Sequence, residues 1–304
     1  MSDPATDLAS VFDAERPRLV ALAYRMLGTP DDADDVAQEA WLRWSTADRA
    51  SIAEPAAWLT TVTTRLAIDR LRSARHRREV YVGPWLPEPV AESNLGGGDP
   101  YLAAASADSL TLAFLTVLER LEPVERAVLL LHDVFGYPFA EVAAHVDRTE
   151  AAARQIAKRA RERVRSSHPR VDPAPDRATA ERLAEAFFGA VVVGDLDALT
   201  AMLTDDVVHL SDGGPTRRAA RRPVVGADRV ARLFLNLAAR TRPGTRFDPV
   251  VVNGQPGLYA TVDGEPEVLF VPSFRGEQVS SILAVLNPDK LARFHAAWLA
   301  SHPA

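Results

Sequence analysis

The stretch PFAEVAAHVDRTEAAARQIAKRARERVR, Pro138 to Arg165, decides how the rest of this chain is read. Phe139, Val142, Ala143 and Val146 recur at helical spacing and predict one apolar face, and the small Ala143 and Ala144 let a second helix approach closely. A short turn follows, in which Asp147 belongs to a residue type that enters the left-handed region more readily than most. Thr149 is placed to cap the next helix by offering its hydroxyl to an orphan backbone N–H, with Glu150 in the first turn where negative charge suits the dipole. Ala152, Ile156, Ala160 and Val164 are then expected to point inward, leaving Arg154, Gln155, Lys158, Arg159, Arg161 and Arg165 outside that stripe.

An isolated run of cations is usually a solvated face. Here the short turn, the small residues at the crossing and the cationic bias of the second helix alone match the needs of a helix laid in the DNA major groove. Arginine binds guanine O6 and N7 in bidentate fashion and glutamine does the same for adenine, so Arg154 and Gln155 are the base-reading candidates. Lys158 and Arg159 suit phosphates, which fix position and carry little sequence information.

A chain of 304 residues is comfortable for two or three domains, each able to bury a core. With no cysteine, disulfides, thiolate metal sites and cysteine nucleophiles are excluded together. No metal or cofactor motif stands out. No apolar run approaches a membrane span and the start lacks a basic stretch followed by an apolar core, so the expected setting is cytoplasmic, without a membrane partner. The formal net charge of −6 argues against nucleic acid only on average, because cations cluster at Arg70 to Arg78 and at Arg148 to Arg165.

The first 80 residues read as helices. Leu8, Val11, Phe12, Leu19, Val20, Leu22, Ala23, Met26 and Leu27 form an amphipathic segment stopped by Gly28, Thr29 and Pro30. A second helix opens with DDADDVAQEAWLRW, with Val36, Trp41 and Leu42 on its inner face. The helix dipole alone explains acids at this position; alternatively Asp35, Gln38 and Glu39 dock on a basic partner. After the polar loop Thr46 to Pro55, a third helix carries Trp58 near its start, Leu59, Val62 and Leu66 on the helical beat, and Arg70, Arg72, Arg75, Arg77 and Arg78 toward its end. Trp58 suits either a core position or a stacking surface.

The segments DDADDVAQEAWLRW, PAAWLTTVTTRLAIDRLR and LERLEPVERAVLLLHDVFGYPFAEVAAHVDRTEAAARQIAKRARERV, in that order, resemble the two domains of an extracytoplasmic-function sigma factor of bacterial RNA polymerase. The resemblance implies that Asp35, Gln38 and Glu39 bind the core polymerase. It implies that the loop Thr46 to Pro55 with Trp58, Arg65, Asp69 and Arg72 reads and helps open the minus-ten promoter element. Separated strands need stacking surfaces and a cationic track, which fits. Thr149 to Arg165 would then lie on the minus-thirty-five element.

Val80 to Asp108, with four prolines before Tyr101 and three consecutive glycines, reads as a linker. It nevertheless carries Tyr81, Trp85 and Leu86, so it is expected to pack on something; its GPWLPEP resembles a linker motif of sigma factors with a fused carboxy-terminal domain. Helices are expected at Ser109 to Leu121 and Pro123 to Val134, and Ser166 to Asp176 is a second proline-rich linker.

The remainder changes character. Helices are expected at Ala178 to Val193, Asp197 to Leu203 and Ala227 to Ala239, and strands at Val207 to Leu210 and in FDPVVVNG, GLYATVD, EVLFVPSF and QVSSILAVL, with a hairpin at Asp263 and Gly264. Helices first and a meander last predict an α+β domain with a curved sheet wrapped on helices, and this tail resembles a SnoaL-like cone. Catalysis there would need a carboxylate base and an oxyanion donor; Asp206, His209 and Asp212 are the nearby candidates, each with a plainer role in a turn or strand. The fused-tail sigma factors are also resembled at Asp212, Gly213, Gly214 and at Asn287, Pro288, Asp289, Lys290, Leu291, which join Trp85, Leu86 and Pro87 as candidate interdomain contacts.

The expected organisation is therefore multidomain: two all-α sigma-factor domains at 1–80 and 108–168, the second with the helix-turn-helix, linkers at 81–107 and 169–176, and a SnoaL-like α+β cone at 177–304. The resemblance implies a promoter-specificity subunit, not an enzyme, whose partners are bacterial RNA polymerase core and promoter DNA. The tail would contact the sigma domains within the same chain, so that no separate anti-sigma protein is required. The competing reading is a stand-alone helix-turn-helix regulator with a ligand-sensing or enzymatic tail.

Overall fold

The computed structural model describes residues 4–79, 81–91, 110–167 and 175–302. The side chains of Leu8, Arg75, Arg77 and Arg78 lie outside the described residues, as do the triple glycine, Ser109 and most of the second linker. The chain divides into two compact units: residues 1–79, 98–109 and 118–164 form one, and 80–97, 110–117 and 165–304 the other.

In the first unit, α1 (Pro4–Leu27), α2 (Pro30–Thr46) and α3 (Pro55–Glu79) pack together. The first two are separated by Gly28 at φ 74°, a value that glycine adopts at no steric cost. Phe12, Leu19, Ala40, Trp44 and Leu59 form the core they share. Leu42, expected inside, is 52% exposed, because Ala37, Ala40 and Trp44 take the inward stripe of α2 instead. The segment joining α2 to α3 contains a single tight turn at Arg49–Ser51.

Helix α4 (Leu112–Leu118) is shorter than the sequence implies. Helix α5 (Pro123–Leu129) starts at proline, and the Glu125 carboxylate accepts from the Glu122 backbone N–H at 3.1 Å. It widens into a π turn over Leu130–Val134 rather than continuing as a regular helix. Then come α6 (Phe139–Val146) and α7 (Glu150–Arg165), the expected helix-turn-helix. Asp147 does adopt the left-handed conformation, φ 54° and ψ 58°. The Thr149 hydroxyl accepts from the Ala152 N–H at 3.2 Å, which makes it the cap. The buried stripe of α7 is Ala153, Ile156, Ala157 and Ala160; Ala152 and Val164, expected inside, are only half-buried, one step round the helix.

The second unit is built on a six-stranded sheet of order β2-β1-β6-β5-β4-β3: β1 (Leu203–Asp212), β2 (Val224–Val225), β3 (Thr245–Val252), β4 (Gln255–Val262), β5 (Glu265–Arg275) and β6 (Gln278–Val285). All pairs are antiparallel except β1 with β6. The β4–β5 turn at Asp263 and Gly264 has both φ values positive, 52° and 87°, as a two-residue hairpin requires. Helices α8 (Arg177–Val193), α9 (Leu196–Ala201) and α10 (Ala227–Ala238) cover one face around Phe187, Leu199, Val207, Phe234 and Ile282. The α9 helix starts one residue before, and stops two before, the expected Asp197 to Leu203, because Leu203 opens β1. On the other face lie α11 (Pro288–Ser301) and residues 86–91 and 112–113, around Val208, Leu210, Tyr259, Leu269, Val271, Leu283, Phe294 and Trp298. Alternate residues of β1 thus serve opposite faces, as the pleat dictates.

Candidate functional site

On α2, Gln38 is exposed, while Asp35 and Glu39 already hold cations of their own unit: Arg70 reaches Asp35 at 2.7 Å and Asp32 at 2.6 Å, and Arg43 reaches Glu39 at 3.1 Å. These are exposed pairs, each worth about 0–1 kcal/mol, so they do not prevent an exchange of partners. On α3, Trp58 is half-buried against Trp44, ring centroids 5.6 Å apart, and Asp69 and Arg72 pair at 3.0 Å. Arg65 points at the carboxyl end of α6, donating to the Ala144 and His145 carbonyl oxygens at 3.3 and 3.4 Å. A cation at a helix carboxyl terminus is held there by the dipole and by unpaired carbonyls.

The contact of α3 with α6 has a buried polar centre. The Thr61 hydroxyl donates to the Ala57 carbonyl oxygen at 2.9 Å, so it must accept from His145 Nδ1–H, 2.7 Å away. Burial, then the charges of Arg18 and Arg65, push the His145 pKa down to about 4. Nearby, Tyr137 takes a hydrogen bond from Arg18, which also reaches Thr60 at 2.9 Å. Arg126, 1% exposed, donates to the Met26 carbonyl oxygen of α1 at 2.6 Å, to the Leu118 carbonyl oxygen at 3.0 Å and to Glu119 at 2.7 Å. These groups tie the three amino-terminal helices to the helix-turn-helix. None of them was singled out by the sequence, since lone polar residues on apolar faces carry no periodic signal.

On α7, Gln155, Lys158 and Arg159 are exposed. Arg154 is exposed too, but it pairs with Glu150 at 2.5 Å and its guanidinium lies 4.7 Å from the Phe139 ring centroid. Arg161 forks onto Asp133 with contacts of 2.8 and 2.5 Å and so helps dock the helix.

In the second unit the interdomain candidates converge on Asp212, which is 0% exposed at the end of β1. Its Oδ1 accepts from the Tyr81 hydroxyl at 2.7 Å and the Gly214 N–H at 3.0 Å; its Oδ2 accepts from the Leu86 N–H at 2.8 Å and Lys290 Nζ at 2.7 Å. Lys290 also donates to the Leu86 carbonyl oxygen, and its ammonium sits 3.9 Å from the Trp85 ring centroid and 5.1 Å from that of Tyr81. Asn287 caps α11 through the Asp289 N–H at 3.1 Å and donates Nδ2–H to the Tyr81 oxygen at 2.8 Å. Burial and the Asp212 hydrogen bond raise the Tyr81 pKa, so the phenol stays protonated as the donor. Pro288 fills the first turn of α11 and Pro87 is buried. Both glycines are required: a Cβ on Gly213 would lie 2.4 Å from the Arg217 carbonyl oxygen, and one on Gly214, φ +59°, would lie 2.7 Å from the Asn287 side chain.

The same segment is held a second time at the β3–β4 turn. Asn253, at φ 52° and fully buried, accepts from the Val90 N–H at 2.9 Å and donates to the Leu110 carbonyl oxygen at 3.0 Å, while Gln255 accepts from the Leu112 N–H at 3.2 Å. Asn253 and Gln255 were not among the candidates, Asn253 being read only as part of the strand segment FDPVVVNG, and Tyr81 was expected to pack without a named partner. The catalytic candidates do not converge. Asp206 pairs with Arg275 at 3.0 Å, Asp212 is consumed by the segment it holds, and His209 stands on the other face of β1. Among the described residues no group of three or more His, Cys, Asp or Glu could hold a metal ion, and no helix is long and apolar enough to cross a membrane.

The family described as Sigma-70 region 2 matches residues 11–77, and Sigma-70, region 4 matches residues 111–164. The chain is 42% identical over 291 residues to the ECF RNA polymerase sigma factor SigJ of Mycobacterium tuberculosis, covering 92% of each. It is 32% identical over 291 residues to the probable ECF RNA polymerase sigma factor SigI of the same species, covering 93% of this chain and 94% of that one. The crystal structure of Mycobacterium tuberculosis SigJ aligns with a TM-score of 0.74 at 37% identity, over 94% of this chain and 98% of that chain.

Proposed function

The chain belongs to the ECF RNA polymerase sigma factors, which direct the polymerase to promoters, and from that premise we propose a division of labour among its residues. Asp35, Gln38 and Glu39 bind the polymerase core, the pairs with Arg70 and Arg43 being exchanged for basic groups of the partner. The loop Thr46 to Pro55 with Trp58, Arg65, Asp69 and Arg72 engages the minus-ten element. Thr149, Arg154, Gln155, Lys158 and Arg159 engage the minus-thirty-five element, Arg154 leaving Glu150 for a base edge or phosphate.

The SnoaL-like tail is the regulator. The observation that carries this reading is the buried cluster of Asp212 and Lys290 closed on Tyr81, Trp85 and Leu86, because that segment lies between the two sigma regions in sequence. A domain that grips the connection between two DNA-reading elements governs how freely they reach their separate sites. Such a chain needs no separate anti-sigma protein, acts in the cytoplasm and is not an enzyme; the separation of Asp206, His209 and Asp212 supports the last point.

The test is transcription from a promoter library by purified bacterial core polymerase, with the full chain, Asp212→Ala, and versions ending near Arg170 and near Leu291. Promoter-dependent transcripts whose level or promoter choice changes in Asp212→Ala and on truncation support the reading. Equal transcripts from all versions would remove the regulatory role and leave the sigma function standing. Glu39→Ala is expected to reduce capture of core polymerase with the fold intact; unchanged capture withdraws Glu39 from that surface.

A further inference from the structure

The face of the sheet opposite the Asp212 cluster carries an open-mouthed cavity of about 1280 Å³ lined by α8, α10, β1 and strands β3 to β6. Ligand pockets for drug-sized molecules run to about 300–1,000 Å³, so this one has room for a small molecule. Its wall is mostly apolar, with Phe188, Phe234, Phe247, Leu258 and Phe270 among its residues. The Phe270 ring lies tilted against Phe234 and Phe188, with ring centroids 5.5 and 6.3 Å apart, so the core of this face continues into the cavity wall as an aromatic surface. At the mouth, Val192 and Phe247 remain 84% and 45% exposed, a concentration of apolar surface that a solvated domain edge does not need. The charged rim mixes Arg218, Arg240 and Arg242 with Glu181, Glu185 and Glu267, so it selects neither sign strongly.

One buried polar atom of its wall lacks a partner among the described residues. His209 is 3% exposed and lines the cavity, and its Nδ1 has no hydrogen-bond partner among the described residues. The adjacent polar residue of the same face, Ser211, is by contrast satisfied: its hydroxyl accepts from the Ala220 N–H at 2.9 Å. Burial pushes the His209 pKa down to about 4 against a hydrogen bond with the Ile282 backbone, so the imidazole is neutral and its Nδ1 is the nitrogen left to a ligand. A hydroxyl group, both donor and acceptor, satisfies either tautomer at Nδ1. A buried unsatisfied nitrogen is costly, and a ligand supplying its partner recovers that cost on binding.

We propose that this cavity is a binding site for an apolar, aromatic small molecule whose hydroxyl group is directed at His209 Nδ1. The proposal goes beyond the regulatory role of the tail and does not depend on it, since it is read by binding alone. The probes are 4-propylphenol and 4-propyltoluene, which differ in hydroxyl against methyl, titrated calorimetrically into the full chain, its His209→Phe variant and its Leu258→Trp variant.

The expected result is saturable binding of 4-propylphenol near one per chain, abolished by Leu258→Trp, which fills the cavity from a half-buried position. The ratio of the two affinities should shift about three- to tenfold toward the phenol in the presence of His209 relative to His209→Phe, the size of one net hydrogen bond. Circular dichroism of both variants establishes that they are folded, and a variant that is not is replaced by His209→Leu or Ala260→Leu. Absence of phenol binding up to its solubility limit, binding that survives the cavity-filling variant, or an affinity ratio indifferent to His209 each overturns the proposal.

Discussion

The Asp212 carboxylate accepts four hydrogen bonds in a fully buried site, two from backbone N–H groups and two from side chains, one of these a lysine that is also buried. Removing one partner of such a pair leaves an uncompensated charge, so Asp212→Ala is expected to destabilise the second unit by about 3–5 kcal/mol in urea unfolding, and Lys290→Met added to it should restore part of the loss. Glu39→Ala, at an exposed pair, should cost no more than about 1 kcal/mol. Arg154→Ala should weaken binding to a cognate promoter by roughly 1–3 kcal/mol in fluorescence anisotropy if it reads a base edge; equal loss on scrambled DNA demotes it to a phosphate contact. The glycines and the asparagine of the cluster could be picked out by resemblance, and their turn and cap chemistry by rule, but not their convergence. Tyr81 and Asp212 are separated by 131 positions, and nothing in a one-dimensional pattern announces a pairing at that range.

At the scale of elements, helices with a strong apolar stripe were legible, as were the four strands of the meander, since periods of 3.6 and 2 residues are imposed by the backbone itself. The exceptions were positional. In α7 the alanine-rich sequence offers several equivalent stripes, and the choice of Ala153 and Ala157 over Ala152 and Val164 was made by the helix it packs on. The packing of α3 against α6 was not legible, because it rests on Thr61, His145 and Arg65 rather than on an apolar pattern. It carries a pH dependence. His145 has an ordinary pKa of 6.5 and about 4 in the fold, so its contribution is full above 6.5 and is lost as the pH falls through that window toward 4. Thermal unfolding of the first unit should therefore lose stability on acidification between those values, and His145→Gln should flatten that slope by up to one proton. An unchanged slope in the variant would clear His145 of the effect. Arg65 is occupied by the carboxyl end of α6, so the minus-ten role proposed for it carries the further proposal that this contact opens.

Across the whole molecule, two units share one chain without dividing it in two: residues 80–97 and 110–117 of the second interrupt the first. The proline and glycine content predicted a linker, and its Tyr81, Trp85 and Leu86 predicted packing; which surface would receive them depended on a sheet built from residues far downstream. A version ending near Arg170 lacks Asp212, Asn253 and Lys290, leaving Leu86, Pro87 and Val90 without the groups that bury them. Limited proteolysis should then cut within residues 81–91 of that version and spare them in the full chain; protection in both would mean the segment is held by other means. The order in which the parts are made adds a matter of timing. Leu86 leaves the ribosome 204 residues before Lys290, roughly 10–40 s earlier at about 5–20 residues per second. Both DNA-reading regions are complete only once Arg165 has been made, so in the later part of that interval every newly synthesised copy carries them with their connecting segment ungripped, until α11 supplies Lys290.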